Sequence, residues 1–332
     1  MREPGFWWRP GRGGWLSPFA ALYGAAAWLR MRSAGQKVGV PVICLGNLTV
    51  GGAGKTPAAL AVAHLLLAAH ERPFFLTRGY GGRSRGPIRV NRALHDAGDV
   101  GDEPLMLARL APTIVARNRV AGAKFARSAG ASVIVMDDGF QNRALAKDLA
   151  ILVVDGRRGI GNGRIIPAGP LRAPLNSQIA QAQAILIVGL PERAEAVAAT
   201  ARHHGIAVFH GRLEPDRNSI TALGARKVLA FAGIGNPEKF FATLSEAGIT
   251  VAERSSFPDH HRFTAQEAES LLARARDANL MLVTTEKDHV RLSGHPALEA
   301  LAARTSTLPV RLAIEEQDAF RQLVLDAVKQ RA

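Results

Sequence analysis

Residues Thr49-Val50-Gly51-Gly52-Ala53-Gly54-Lys55-Thr56 bring glycines, a lysine and a hydroxyl together in the set that a nucleotide triphosphate requires. Glycines let backbone N–H groups converge on phosphate oxygens, Lys55 supplies a cation, and Thr56 offers an oxygen to Mg²⁺. The competing reading is a glycine turn that binds nothing, and Thr49 stands where a phosphate loop usually has its first glycine. A second group, Asp137-Asp138, ends the apolar run Ser132 to Met136 and suits a magnesium ion held between an acid and Thr56. Arg78-Gly79-Tyr80-Gly81 and Gly101-Asp102-Glu103-Pro104 add a forked cation, a ring that can meet a sugar, and two more carboxylates. His260, in Phe257-Pro258-Asp259-His260-His261, is a candidate proton carrier or, with His261, part of a metal site that needs ligands from elsewhere. Thr285-Glu286-Lys287-Asp288 ends a strand and places polar groups at another strand terminus, with solvated surface as the equal alternative reading.

These groups need elements to position them. Val40 to Leu45 reads as a buried strand and Pro57 to His70 as a helix, so the glycine loop falls between strand and helix, as a P-loop does. Further apolar runs at Pro73 to Thr77, Pro112 to Ala116, Ser132 to Met136, Leu149 to Val154 and Ala184 to Gly189 predict a P-loop NTPase-like α/β fold, a mostly parallel sheet flanked by helices. Arg78 and Asp137 then lie at the carboxyl edge of that sheet, where ligands bind. After a helix from Pro191 to His204, a second, smaller α/β domain is predicted. Its parts are strands at Lys227 to Ala232 and Leu280 to Thr284 and helices at Pro237 to Ala247 and Thr264 to Asp277, the latter opened by a Thr264/Glu267 capping box. Val208 to Leu213 and Leu308 to Ala313 are predicted to pair as a two-stranded connection. The expected division is 1–36, an N-terminal helix segment; 37–206, the phosphate-loop domain; and 207–332, the smaller domain. Gly156 to Pro174 reads as a long, ordered, functional loop.

Lys and Arg number 42 against 28 Asp and Glu, a net charge of +14, which calls for an anionic partner: nucleic acid, acidic lipid or a phosphorylated substrate. Cys44 is the single cysteine, so no disulfide framework exists and a reducing cytoplasm is expected. All four tryptophans, Trp7, Trp8, Trp15 and Trp28, precede residue 30, alongside Phe6, Phe19 and Tyr23. Up to Lys37 the bases Arg2, Arg9, Arg12, Arg30, Arg32 and Lys37 face Glu3 alone, a net +5. Rings and arginines together suit a bilayer interface. The 11-residue run Phe19 to Leu29 is shorter than the ~20 residues a spanning helix needs, so it can lie on a membrane and not cross it. Two other readings stand beside this one: a helix docked on its own domain through Phe19, Leu22, Tyr23 and Ala26, and a signal peptide, against which Arg30 and Arg32 argue.

Taken together, these segments resemble the tetraacyldisaccharide 4′-kinases, the lipid A kinases of Gram-negative bacteria. The likeness rests on Phe6-Trp7, Gly46-Asn47-Leu48-Thr49-Val50-Gly51-Gly52, Arg78-Gly79-Tyr80-Gly81, Gly101-Asp102-Glu103-Pro104 and Asp137-Asp138-Gly139-Phe140-Gln141. It continues through Gly163-Arg164, Pro167-Ala168-Gly169-Pro170-Leu171-Arg172, Phe231-Ala232-Gly233-Ile234, Phe257-Pro258-Asp259-His260 and Thr285-Glu286-Lys287-Asp288. Thr49 is that family's own form of the loop.

The resemblance implies transfer of the γ-phosphate of ATP to the 4′-hydroxyl of a tetraacyldisaccharide 1-phosphate, giving lipid IVA, by a monomer at the cytoplasmic face of the inner membrane. Both substrates are anionic, which accounts for the charge without nucleic acid. Thr49 to Thr56 would hold the nucleotide, and Thr56 with Asp137, Asp138 or Glu103 would hold Mg²⁺. The resemblance makes Asp102 the base and His260, from the other domain, its partner. Lys55 would act on the transferred phosphoryl group, and Arg78, Tyr80, Arg119, Gln141 and Arg172 would position substrate. A membrane-recruited ATPase or GTPase switch is the rival class, although no guanine-reading Asn-Lys-x-Asp stretch is present. A basic nucleic-acid binder is a poorer third, lacking a base-stacking motif beyond the N-terminus.

Overall fold

A computed structural model describes residues 3–31 and 34–329. Arg2 and Arg32, counted among the N-terminal bases, lie outside the described residues.

The chain builds β1 (Val42–Asn47), β2 (Pro73–Thr77), β3 (Ile88–Arg89), β4 (Thr113–Val115), β5 (Val133–Asp137), β6 (Leu149–Asp155), β7 (Ala184–Val188) and β8 (Ala207–Pro215). It continues through β9 (Val228–Ala232), β10 (Val251–Ser256), β11 (Met281–Thr284), β12 (Thr305–Thr307) and β13 (Val310–Ile314). Nine strands form one sheet in the order β13-β8-β7-β6-β1-β5-β2-β4-β3. Only the edge pairs β13–β8 and β3–β4 run antiparallel. The central strands are apolar on both faces because helices cover both. On one face the helix Lys55–Ala68 buries Ala58, Val62 and Leu66 and shares a core with Phe320, Val324 and Ala327 of the last helix, Gln317–Lys329. The chain therefore returns to the large sheet at its C-terminal end.

Four parallel strands, β10-β9-β11-β12, make the smaller sheet. Its helix Ala265–Asp277 opens on a Thr264/Glu267 capping box. Three strands carry too weak an apolar signal to be read from sequence. β3 and β12 are only two and three residues long, and β10 alternates half-buried with exposed residues at a sheet edge.

The N-terminal helix, Ser17–Met31, docks through Ala20, Gly24, Ala27 and Met31. Of the docking face expected from Phe19, Leu22, Tyr23 and Ala26, Tyr23 alone packs on the core, half-buried; Ala26 is exposed, and Phe19 and Leu22 are 64% and 75% exposed. Small residues win because they let the backbone approach closely; a Cβ on Gly24 would lie 2.9 Å from Ile165 Cδ1. Among the described residues, no helix is long and apolar enough to cross a membrane.

Candidate active site

Register places the first cluster. β1 and β5 pair with Leu45 opposite Asp137, so the carboxylate leaves the sheet beside the loop that leaves β1. The Thr56 hydroxyl donates to Asp137 Oδ2 at 3.4 Å. Asp137 Oδ1 is buried without a hydrogen-bond partner. Burial first, and the nearby charge of Glu103 second, push the Asp137 carboxyl up to about 7. Asp138 sits in left-handed backbone, φ 52°, with Arg172 at 2.8 Å and Lys55 at 3.7 Å. Burial opposes its ionisation, yet those two cations outweigh it and hold Asp138 below the ordinary range.

Neighbouring segments brace the loop. Lys55 and Asn47 both donate to the Gly51 carbonyl, at 3.5 Å and 3.0 Å. From the 156–174 loop, the Pro170 carbonyl accepts the Val50 N–H at 2.9 Å and Arg172 Nε donates to the Thr49 carbonyl at 3.1 Å. Gln141 donates to the Asn47 carbonyl at 3.0 Å and accepts from Arg172 at 3.2 Å. Glu3 reaches the same place from the N-terminus. Its Oε2 accepts from Trp8 Nε1 and Arg158 Nη1, each at 3.1 Å, and a Cβ on Gly51 would fall 2.2 Å from its Oε1.

The second cluster forms between the two sheets. Asp102, at the start of the helix Asp102–Leu107, comes from the larger one; His260, Lys287 and Arg291 come from the smaller. His260 Nδ1 donates to Asp102 Oδ2 at 3.1 Å. Arg291 Nε donates to the same oxygen at 3.0 Å, its Nη2 joins in, and Lys287 Nζ is 4.0 Å away. Burial disfavours the charge on Asp102, but His260, Lys287 and Arg291 prevail and hold it well below the usual carboxylate range. His260 adopts φ 58°, uncommon for a non-glycine residue, and its ring lies 5.5 Å from that of Tyr80. Asp102, His260, Arg291 and Tyr80, together with Gly101, line a cleft of about 240 Å³.

Lys55, Thr56, Asp137, Asp138, Gln141 and Arg172 therefore meet in one network, and Asp102, His260 and Tyr80 in another. Glu103 stands between the two, its carboxylate 3.8 Å from Lys287 and its charge felt by Asp137. Arg119 is buried, bonded to the Ala116 carbonyl, with its Nε unpartnered; Arg78 is exposed. His261 turns to Glu267 at 2.9 Å and stays out of the site. The solvated-surface reading of Thr285 to Asp288 fails: Asp288 is fully buried, accepting from Thr285, Gly233 and Arg291. Arg291 escapes sequence reasoning altogether, since no local pattern distinguishes it from the surface arginines.

The family described as Tetraacyldisaccharide-1-P 4′-kinase matches residues 13–329. The chain is similar to the tetraacyldisaccharide 4′-kinase of Rhodopseudomonas palustris (strain BisB5), 52% identical over 99% of this chain and 98% of that protein. The protein of the same name from Bradyrhizobium sp. (strain BTAi1 / ATCC BAA-1182) is 51% identical over 98% of this chain and 94% of its own. The fold is similar to a crystal structure of LpxK from Aquifex aeolicus in complex with ATP. That TM-score is 0.74 at 29% identity, covering 95% of this chain and 99% of that one.

Proposed function

This chain belongs to the Tetraacyldisaccharide-1-P 4′-kinase family, and on that premise we propose how its residues move the γ-phosphate of ATP to the 4′-hydroxyl of a tetraacyldisaccharide 1-phosphate. Backbone N–H groups of Gly51 to Lys55 and the Lys55 ammonium hold the β- and γ-phosphates, with Thr49, Val50 and Thr56 completing the loop. The unpartnered Asp137 Oδ1 and the adjacent Thr56 hydroxyl are hard oxygen donors of the kind Mg²⁺ takes. With Asp138 or Glu103 they would hold that ion, which neutralises charge on the phosphates when bound. Arg172 and Gln141 steady the loop edge from within, Arg119, held on the Ala116 carbonyl, adds its charge near Asp138, and Tyr80 and Arg78 face the acceptor.

The observation that carries this reading is the 3.1 Å contact between Asp102 and His260, which joins the two sheets beside the phosphate loop. Asp102 serves as the base for the acceptor hydroxyl, and His260 orients it. A carboxylate held so far below its usual range is a weak base, and a weak base is enough. In a loose phosphoryl-transfer transition state the attacking oxygen sheds its proton late, so placement outweighs basicity. Asp102→Ala is expected to lower kcat by ~10²–10⁴ while leaving ATP affinity in place; full turnover in that variant would sink the assignment. An acceptor-independent ATPase rate equal to the rate with lipid would instead favour the switch reading.

The same proposal takes residues 1–36 as an interfacial segment, 37–206 as the kinase domain and 207–332 as the smaller domain, whose ends, β8, β13 and the last helix, add to the larger sheet and join the two. Trp15, Phe19 and Leu22, exposed at 76%, 64% and 75%, support contact with the cytoplasmic face of the inner membrane, where the acylated substrate resides. The enzyme acts there as a monomer.

A further inference from the structure

We propose that Arg291 is a positioning residue for the transfer: its guanidinium, fixed to the smaller sheet, presents the Asp102 carboxylate of the larger one to His260. The proposal rests on the reading of Asp102 as the base with His260 as its orienting partner, and adds the group that anchors them.

Arg291 has only 5% of its side chain exposed. Its N–H groups divide into two sets. Nε, at 3.0 Å, and Nη2 take Asp102 Oδ2, while Nη1 takes the Gly233 carbonyl at 2.8 Å and Asp288 Oδ1 at 2.7 Å. Gly233 follows β9, and Asp288 lies just beyond β11, so Arg291 is tied to two strand ends of the smaller sheet. Asp288 is itself pinned, its Oδ2 accepting from the Gly233 N–H at 3.0 Å and from Thr285 Oγ1 at 2.7 Å. One rigid chain of bonds therefore runs from strand ends to a single oxygen of Asp102. That is also the oxygen His260 reaches, with Arg291 Nη2 3.5 Å from His260 Nδ1.

A planar fork with five donors suits this task and a lysine does not, because one edge must grip Asp102 while another holds the anchor. Lys287 already places a point charge 4.0 Å from Asp102, so mere neutralisation does not require Arg291. An ordinary inter-domain ion pair would not need to share its acceptor oxygen with the histidine of the reacting pair.

The test is steady-state kinetics on the full-length enzyme with ATP and the acylated disaccharide. Arg291→Gln and Arg291→Ala are expected to lose 10- to 100-fold in kcat, the scale of a misplaced reacting group, with KM for ATP within twofold of wild type. Millimolar methylguanidinium is expected to restore at least tenfold to Arg291→Ala and nothing to Asp102→Ala; Arg291→Lys, which keeps charge and loses the fork, is expected to recover little. Where the Arg291 variants fail to fold, Asp288→Asn, which frees the anchor and leaves Arg291 in place, is expected to show the same split between kcat and KM. The proposal is overturned if kcat stays within threefold of wild type, if kcat and KM for ATP deteriorate together, or if methylguanidinium restores nothing. Asp102→Ala measured alongside separates the failures: an inactive Asp102→Ala with a normal Arg291→Gln refutes this inference alone, whereas a normal Asp102→Ala refutes the acid–base reading beneath it.

Discussion

Asp137→Asn is expected to stabilise the nucleotide-free protein above neutral pH while abolishing turnover. The Asp137 carboxyl is 1% exposed and is pushed from 3.8 to about 7, by burial first and then by the charge of Glu103. The folded chain thus holds this proton more tightly than the unfolded chain. Between the ordinary carboxylate range and pH 7 the native state binds more protons, so stability falls as pH rises across that window and levels off above it. A difference of about three pKa units at about 1.4 kcal/mol each sets an upper bound of roughly 4 kcal/mol at pH 8. Asparagine removes that penalty and keeps an oxygen for the Thr56 hydroxyl, so about 2–4 kcal/mol is recovered, or several degrees in Tm for a chain of this size. Thermal melts at pH 5.5 and pH 8, without nucleotide or metal, measure it. The gap between the two proteins is expected to be about half as large at pH 5.5, midway through that window, as at pH 8. Parallel pH profiles, or a less stable Asp137→Asn at pH 8, would refute the argument that this acid is kept for ligand chemistry at a cost to the fold.

Two further perturbations address the loop and the N-terminus. Gly51→Ala must place a Cβ at φ +102° and 2.2 Å from Glu3 Oε1, so calorimetry is expected to find ATP binding weakened at least tenfold. Adding Glu3→Ala relieves the clash but not the backbone strain of roughly 1–3 kcal/mol, and complete recovery in the double variant would contradict that division. Replacing Trp15, Phe19 and Leu22 together by glutamate is expected to abolish cosedimentation with anionic vesicles while leaving the melting curve intact, because none of the three is buried; undiminished sedimentation would remove the membrane role.

The sequence discloses what is local and conceals what is distant. The order of strand, glycine loop and helix was legible because each is a contiguous pattern, and Asp137 followed because the apolar run before it is a buried strand. Pairing between Val208–Leu213 and Leu308–Ala313 was also foreseeable, as two apolar runs bracketing a unit; the same pair appears as β8 and β13, but as the edge of the nine-stranded sheet and not as a separate two-stranded connection. The docking face of the N-terminal helix was misjudged because large apolar side chains dominate a hydropathy reading. The packed face instead depends on residues small enough to let backbones touch.

Arg291 marks the limit of such reading. Its neighbours in sequence explain only one of its bonds: Asp288, three residues back, is a local partner, whereas Gly233 and Asp102 lie 58 and 189 positions away. A buried arginine between two carboxylates is costly unless every bond is made, and here the contacts come from both sheets. The cluster is therefore complete only while the sheets stand at this separation. On the proposed reading of Asp102 as the base, one sheet holds the phosphates and the other sets where that base points.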